Sequence, residues 1–235
     1  MALILSIETS TPNCSVALAL DGRILAVKEI NSRNSHAEVL TAFIQDVLEQ
    51  SGKQMNELDA VAVSMGPGSY TGLRIGVSTA KGLCFALDKP LIAVSTLQAM
   101  AFGMSLEYCA RPGADCDALF CPMIDARRME VYAAIYKSGN EEVREVKAEI
   151  IDDQAYQDFL SHSKLVFGGD GSEKCKEMIT SDQAIFLEGF LPSSSFMVPI
   201  AEHKFNTSNF EDLAYFEPYY LKDFVGGIPK VKGLR

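Results

Sequence analysis

Short blocks of apolar residues alternate with polar residues at the start of the chain, and their spacing predicts strands. Residues 3–8, 14–20 and 23–30 form three such blocks. Asp21 and Gly22, between the last two blocks, are a strong signal for a two-residue hairpin turn. The chain is therefore predicted to open with three strands, of which the last two are joined by a tight hairpin.

A helical period replaces this alternation after the third strand. Positions 39, 40, 43, 44, 47 and 48 are apolar and share one helix face, and Gly52 follows as a stop signal. Ser35 and Glu38 have the spacing of a capping box at the start of this helix. The elements predicted next are a buried strand at residues 61–65, a second helix ending near Leu87, a strand at residues 91–94 and a helix from about Thr96.

The same pattern begins again near residue 119. Residues 119–136 resemble residues 3–20, since each stretch has an apolar strand, a short polar turn and an alternating strand. The first strand ends in Ile7-Glu8 in one case and in Ile124-Asp125 in the other. Residues 107–117 contain Pro, Gly and charges, and are typical of a linker between the two halves.

Two similar halves predict a duplicated α/β fold in which each half is a mixed sheet flanked by helices. We divide the chain into an N-terminal subdomain at residues 1–106 and a C-terminal subdomain at residues 107–235, with room for its last segment to pack back on the first. This arrangement is typical of the actin-like ATPase (ASKHA, ribonuclease H-like) fold. In that fold a nucleotide lies between the halves and is held by the two hairpin turns.

Composition and charge narrow the expected partners. The chain has 235 residues, of which 48% are hydrophobic and 22% charged, and its formal net charge is −10. Such a surface repels phosphate backbones, so we expect no tRNA or duplex binding by the chain alone, and only residues 230–235 form a tight basic run. The sequence has no signal-peptide pattern and no apolar run of the roughly 20 residues that a membrane span needs. We therefore expect a cytoplasmic protein that does not contact a membrane.

The six cysteines do not form a recognisable metal or redox motif. They lie at positions 14, 84, 109, 116, 121 and 175, with no Cys-x-x-Cys pair and no zinc-finger spacing. We expect them to be reduced and to pack as small hydrophobic residues. Cys109, Cys116 and Cys121 are near one another in sequence, which leaves a metal or redox site as a minor alternative.

The turn after the first strand is poorly suited to bind phosphate. Residues 9–13 contain no glycine for close approach, and Pro12 has no N–H to donate. The hydroxyls of Thr9 and Ser10 remain as donors, and Glu8 could hold a metal-bound water. We expect no ATP hydrolysis and no required cofactor, although weak ATP or ADP binding stays open. The candidate cleft residues are Glu8, Thr9, Ser10, Asp125, Gly168 and Gly169.

Two stretches of the second half add to this candidate cleft. Residues 164–167 predict a strand that leads into the glycine-rich residues 168–171 and then a helical stretch to about Thr180. The charged residues 125–130 are either a substrate or partner contact, or a solvated turn with a local Arg–Glu pair.

No metal site is predicted. A helix that binds a metal through two histidines needs them four residues apart, and Leu40 stands four residues after His36. We expect His36 to be solvated in the first helical turn.

Glycines recur at every fourth residue of the sequence Gly-Pro-Gly-Ser-Tyr-Thr-Gly-Leu-Arg-Ile-Gly, residues 66–76. Gly68, Gly72, Gly76 and then Ala80 would form one ridge of minimal side chains on a helix. A P-loop would need Gly-Lys-Ser/Thr at the helix start, which this sequence lacks. The ridge therefore indicates close packing, either against the protein's own sheet or against a partner. We take Val39, Phe43, Gly68, Gly72, Gly76 and Ala80 as candidate interface residues.

Several motifs together resemble the TsaB (YeaZ) family. They span nearly the whole chain in family order, and only residues 138–215 match loosely. The motifs are Ile-Glu-Thr-Ser-Thr at 7–11, the glycine motif at 66–76, Val-Ser-Thr-Leu at 94–97, Ile-Asp-Ala-Arg at 124–127 with Glu-Val-Tyr at 130–132, and Pro-Tyr-Tyr-Leu-Lys-Asp at 218–223.

The resemblance implies an actin-like fold and a non-catalytic scaffold or activator role in tRNA modification. In this family's pathway a sister protein, TsaD, transfers a threonylcarbamoyl group to adenosine 37 of tRNAs that read ANN codons, and an ATPase, TsaE, joins the two. The resemblance also implies self-association when the sister is absent, and contact with tRNA only through the complex. Two alternatives remain: an ATP-dependent small-molecule kinase of the same fold, and a metallopeptidase, as relatives were once described.

Overall fold

The structure is a computed structural model that describes residues 1–32 and 36–222. These residues form two sheets and the helices between and around them. The strands are β1 Leu3–Glu8, β2 Asn13–Leu20, β3 Arg23–Asn31, β4 Ala60–Gly66, β5 Leu91–Ser95, β6 Leu119–Asp125, β7 Glu130–Tyr136, β8 Glu142–Ile150, β9 Leu165–Gly168 and β10 Ala184–Leu187. The helices are α1 His36–Ser51, α2 Tyr70–Leu87, α3 Thr96–Cys109, α4 Gln157–Leu160 and α5 Ser194–Asn206.

The two sheets have the same topology. The first has the strand order β3-β2-β1-β4-β5 and the second the order β10-β9-β6-β7-β8, which is the same order read from the other edge. In each sheet the first three strands are antiparallel neighbours and the last two are parallel to the first. The predicted duplicated α/β fold with two mixed sheets is confirmed.

Helices cover both faces of the first sheet, which explains why its central strand is apolar throughout. All six residues of β1 are buried, as expected for a strand with no solvent face. Leu40, Ile44 and Val77 of α1 and α2 pack with Leu5 and Ile7 on one face. On the other face α5 contributes Met197 and Ala201 to a cluster with Ile4, Ala62 and Ile92.

α3 and α5 connect the two halves. Met100, Met104 and Tyr108 of α3 pack against Phe120 and Val166 of the second sheet, and α3 also contacts α5 and the strands β4 and β5. α3 is apolar around most of its circumference because most of its residues are buried, and only Leu106 and Glu107 near its end are exposed. The predicted boundary between residues 106 and 107 falls inside this helix.

Some predicted elements differ from the structure. The helical stretch predicted up to Thr180 is only a 3-10 turn, Glu173–Cys175. The predicted linker is shorter at its start, since α3 continues to Cys109. The capping box is not tested, because Ser35 lies outside the described residues, as does the basic run at 230–235.

The expectation that every cysteine is reduced is wrong for one pair. Cys109, at the end of α3, and Cys116, in the following loop, form a disulfide. The other four cysteines are free and buried, as predicted for small hydrophobic residues. Burial raises the pKa of Cys121 to about 12, so this thiol stays protonated at neutral pH. No group of three potential metal ligands occurs in residues 1–32 and 36–222.

Candidate functional site

A large cleft lies where the two hairpin turns meet. Its volume is about 810 Å³. The β1–β2 turn and the start of α2 form one wall, the β6–β7 turn forms the opposite wall, and the segment after α5 closes one side. The residues that line it include Ser10, Thr11, Ser69, Tyr70, Asp125, Arg127, Asp170, Tyr219, Tyr220 and Lys222.

The β1–β2 turn is held against the start of α2 by a backbone contact. The Ser69 amide donates to the Ser10 carbonyl at 2.6 Å, and Ser69 caps α2 by accepting from the Gly72 amide. Thr9 and Ser10 are both buried, at 0% and 1% exposure, although Ser10 borders the cleft. Of the two hydroxyls predicted to face a ligand, only that of Ser10 belongs to a residue at the cleft.

The glycine ridge faces this turn and not a partner. A Cβ at Gly72 would overlap the carbonyl oxygen of Thr9, and one at Gly76 would overlap the Thr9 hydroxyl. A Cβ at Gly68 would lie 2.5 Å from the Ser10 carbonyl oxygen. Ala80 continues the ridge with 0% exposure in the core under α2. The assignment to an interface is therefore wrong for Gly72, Gly76 and Ala80, which are buried inside the protein. Gly68 precedes α2, is half-buried and borders the cleft, so its assignment stays a prediction.

Glu8 is sealed beneath the turn and does not reach the cleft. Its side chain is 0% exposed, and its Oε1 accepts from the Ser10 amide at 2.6 Å. Burial raises the pKa of this carboxyl above its ordinary value of 4.5. Glu8 therefore supports the turn and is not placed to hold a metal-bound water over the cleft.

Replacing Glu8 by glutamine is expected to remove a pH dependence of stability. The folded chain keeps the Glu8 proton to higher pH than the unfolded chain does, because burial raises the pKa. The stability from this group is complete below about pH 4.5 and is lost as pH rises through the folded pKa. Between pH 4 and pH 8, the free energy of unfolding of wild type, measured in urea titrations, should fall by about 1–3 kcal/mol relative to that of Glu8→Gln. A difference that does not change with pH would contradict the assignment.

The β6–β7 turn presents two arginines in an unusual backbone conformation. Arg127 and Arg128 are exposed and have φ angles of 74° and 52°. A non-glycine residue in this region costs roughly 1–2 kcal/mol. The turn is tied down by the Arg127 amide, which donates to Asp125 Oδ1 at 2.9 Å. Such strain is typical of turns whose side chains must point in a set direction.

The acids of this turn are paired with lysines. Asp125 forms an ion pair with Lys174, and Glu130 forms one with Lys222. Lys174 also donates to the Glu130 carbonyl at 2.7 Å. The alternative of a local Arg–Glu pair in the turn is therefore not supported, since Glu130 pairs with a lysine from the distant segment after α5.

Gly168 and Gly169 do not face the cleft. A Cβ at Gly168 would meet the Met104 side chain at 3.2 Å, and Gly169, with φ of 108°, lies against the carbonyl of Met123. The next residue, Asp170, borders the cleft and accepts from the Asp125 amide at 3.1 Å. Burial raises the pKa of Asp170. Sequence reasoning missed Asp170, although an acid after a strand and between glycines is a usable signal.

His36 is buried rather than solvated. It is 7% exposed, and its Nε2 lies 2.9 Å from the carbonyl oxygen of Thr11. The histidine thus fixes the far side of the first hairpin turn to the start of α1. The residue also borders the cleft.

The segment after α5 completes the cleft. The sequence analysis left room for this segment to pack back on the first subdomain, as it does, but did not place it at the cleft. The Glu211 amide donates to the carbonyl of Leu91 at 2.9 Å, and the Tyr219 amide to that of Met65 at 2.7 Å. The ring of Tyr220 packs on that of Tyr70 with centroids 4.9 Å apart. Asp223, the last residue of the C-terminal motif, lies outside the described residues.

The outer surface of α1 and α2 is a second candidate site. Val39, Phe43, Ile75 and Leu83 are partly exposed and pack on the same core, while Phe85 is 82% exposed. Val39 and Phe43 remain candidate interface residues. In the part of the chain that the structure describes, no helix combines the length and the hydropathy of a membrane span.

Comparisons with known proteins agree with each other. A family model described as TsaD, tRNA N6-adenosine threonylcarbamoyltransferase, matches residues 25–215. The chain is 34% identical over 231 residues to the tRNA threonylcarbamoyladenosine biosynthesis protein TsaB of Escherichia coli (strain K12), which covers 94% of this chain and 95% of that protein.

Two solved structures from Pseudomonas aeruginosa have the same fold. One is an uncharacterized protein with similarity to peptidase YEAZ, with a TM-score of 0.81, 26% identity and coverage of 94% of this chain and 100% of that chain. The other is YeaZ, with a TM-score of 0.77, 27% identity and the same coverage of 94% and 100%.

Proposed function

The chain belongs to the TsaB (YeaZ) family, and from this membership we propose that it serves tRNA threonylcarbamoyladenosine biosynthesis as a non-catalytic subunit. In this role it scaffolds or activates a TsaD-like sister protein, which carries out threonylcarbamoyl transfer to tRNA with the help of a TsaE-like ATPase. The proposal places the chain in the cytoplasm with its partners and substrate.

The observation that carries the non-catalytic role is the use made of the first hairpin turn. In a working actin-like ATPase this turn would offer its backbone amides to phosphate. Here the turn is packed beneath α2, because Gly68, Gly72 and Gly76 let the helix approach it, and its acid Glu8 is buried with its Oε1 bonded to the Ser10 amide. The Glu8 carboxyl and the Ser10 amide that donates to it are buried away from the cleft, so neither is available for metal-assisted phosphoryl transfer.

We further propose that α1 and α2 provide the contact with the sister protein. The two helices contact each other and lie side by side on one face of the first sheet. Their outer surface carries partly exposed apolar side chains and one largely exposed aromatic side chain, that of Phe85. Apolar and aromatic groups of this kind are enriched at the centre of protein interfaces. In the absence of the sister, the same surface would support a homodimer.

The proposed function is tested by depletion and reconstitution. Depleting the protein in its own organism should remove threonylcarbamoyladenosine from tRNA hydrolysates, measured by nucleoside mass spectrometry, and a plasmid copy should restore it. In a purified system, omission of this chain should abolish transfer by the sister and the ATPase. Unchanged modification after depletion would contradict the proposal.

The same preparations separate the two alternative functions. A small-molecule kinase would consume ATP without the sister protein, and a metallopeptidase would retain a stoichiometric metal after purification. We expect neither activity. Weak ADP or ATP binding in the cleft is compatible with the proposal, because binding does not require the buried Glu8, and calorimetry with each nucleotide measures it directly.

A further inference from the structure

Five residues form a band of aromatic and cationic side chains at the cleft. We define this Tyr-Arg rim as Tyr70, Arg127, Arg128, Tyr219 and Tyr220. Four of them border the cleft, and Arg128 follows Arg127 on the same turn. The tyrosines lie at the start of α2 and in the segment after α5, and the arginines lie on the opposite wall.

We propose that the Tyr-Arg rim binds single-stranded RNA, so that this chain contacts the tRNA substrate itself. The inference deepens the proposed function and rests on it for the identity of the RNA. It departs from the expectation that the chain meets tRNA only through its partners. Tyrosines that stack on unpaired bases, beside arginines that contact phosphates, are the usual elements of single-strand recognition.

The two arginines are exposed and are not neutralised by an ion pair. Within residues 1–32 and 36–222, no carboxylate forms an ion pair with the guanidinium of Arg127 or Arg128. The acids nearest in sequence, Asp125 and Glu130, already pair with Lys174 and Lys222. The rim therefore carries two unpaired positive charges on a chain whose formal net charge is −10, and Asp170 lines the same cleft.

The left-handed backbone of the two arginines supports the same conclusion. Arginine has no intrinsic preference for positive φ, which glycine and asparagine adopt at lower cost. Both residues nevertheless have it, at 74° and 52°. Neither guanidinium forms an internal ion pair in the described residues. Binding of an external anion by these side chains is therefore the best explanation of the strained turn.

The aromatic wall is arranged for stacking. Tyr70 and Tyr220 pack at 36° with centroids 4.9 Å apart, and Arg74 Nη1 donates to the Tyr70 hydroxyl at 2.9 Å. Tyr220 remains 36% exposed and Tyr219 39% exposed. The Tyr219 amide is bonded to Met65, which fixes the segment in place. Bases in a duplex cannot reach such a wall, because their faces are already stacked.

The acidic remainder of the surface limits how much RNA is bound. Phosphates outside the rim meet a repulsive field, so the contact is confined to a few nucleotides. This favours a loop of unpaired nucleotides over a long strand. The net negative charge of the chain thus predicts repulsion of RNA, whereas the Tyr-Arg rim predicts local binding of a few nucleotides.

Fluorescence anisotropy with a labelled single-stranded RNA of about ten nucleotides tests the proposal on the full chain. Arg127→Asn with Arg128→Asn removes both charges while keeping a residue that tolerates positive φ. We expect binding to weaken about 10-fold or more, and the slope of log K against log salt to fall by about 1.4. Tyr220→Leu should weaken binding about 10-fold. The control Arg23→Ala with Lys53→Ala removes one exposed and one partly exposed cation at the other end of the first sheet and should change neither quantity.

Several results would overturn the proposal. They are an arginine double variant that binds like wild type, a control that loses as much affinity, a wild-type chain that binds no RNA, or equal binding of the matching duplex. Displacement of the RNA by equimolar ADP would identify a small-nucleotide site instead. Thermal unfolding checks that the variants fold. Loss of tRNA modification on depletion is a separate result, so the inference can fail while the proposed function stands.

Discussion

Gly72→Ala is expected to destabilise the folded chain by about 3 kcal/mol, whereas Gly82→Ala on the same helix should stabilise it by about 0.5–1 kcal/mol. A Cβ at Gly72 overlaps the backbone carbonyl of Thr9, which cannot move without displacing the hairpin turn, while a Cβ at Gly82 meets nothing within 4 Å. Both substitutions add the same methyl group to α2. Urea unfolding of the two variants and wild type measures the difference.

A double-mutant cycle at Gly76 sharpens this test. The obstacle there is the Thr9 hydroxyl, and the Thr9 Cβ lies 3.4 Å from the added carbon. Thr9→Ala should therefore recover most of the stability lost in Gly76→Ala, but little of that lost in Gly72→Ala, where the obstacle is backbone. Equal stability of Gly72→Ala and Gly82→Ala would contradict the packing of α2 on the first hairpin.

Phe85→Arg and Ala42→Arg are each expected to weaken binding to the TsaD-like sister protein about 100-fold, or about 3 kcal/mol. Both positions are exposed on α1 or α2, so the substitutions place a large charged side chain on the proposed interface at little cost to the fold. Burial of that charge without a partner is what opposes association. Surface plasmon resonance with the immobilised sister protein measures the affinity.

Ile150→Arg is the matched control for this interface. Ile150 is also apolar and is 74% exposed, but it lies at the end of β8, an edge strand of the second sheet. Its substitution should leave the affinity within about twofold. If Ile150→Arg alone weakens binding, the interface lies on the second sheet, and the role proposed for Val39, Phe43 and Phe85 is wrong.

Local patterns predicted much of this fold because the features shared by the two halves depend on residues that are close in sequence. The Asp21-Gly22 turn, the apolar face of α1 and the paired acids of the two hairpins depend on neighbours in sequence. The same signals placed Ser10 and Asp125 at the cleft, and both line it. Each of these features is decided within about ten residues.

The errors concern what a residue meets across the fold. Glycine spacing on α2 predicted a close approach, but spacing cannot say whether Thr9 or a partner approaches. Gly168 and Gly169 followed a strand as a phosphate loop would, yet they serve packing against Met104 and Met123. His36 was assigned to solvent because the contact that buries it comes from Thr11, 25 residues away. Such contacts depend on tertiary packing, which a single sequence does not display.

The position of α5 is expected to delay folding during synthesis of the chain. β5 ends at Ser95, whereas α5, which covers the second face of the first sheet, begins only at Ser194. A ribosome adds roughly 5–20 residues per second, so α5 is synthesised about 5–20 s after the strands of the first sheet. During that time Ile4, Ala62 and Ile92 remain open to solvent on the nascent chain. The unfinished polypeptide is therefore expected to be a client of ribosome-associated chaperones until almost all of it has emerged.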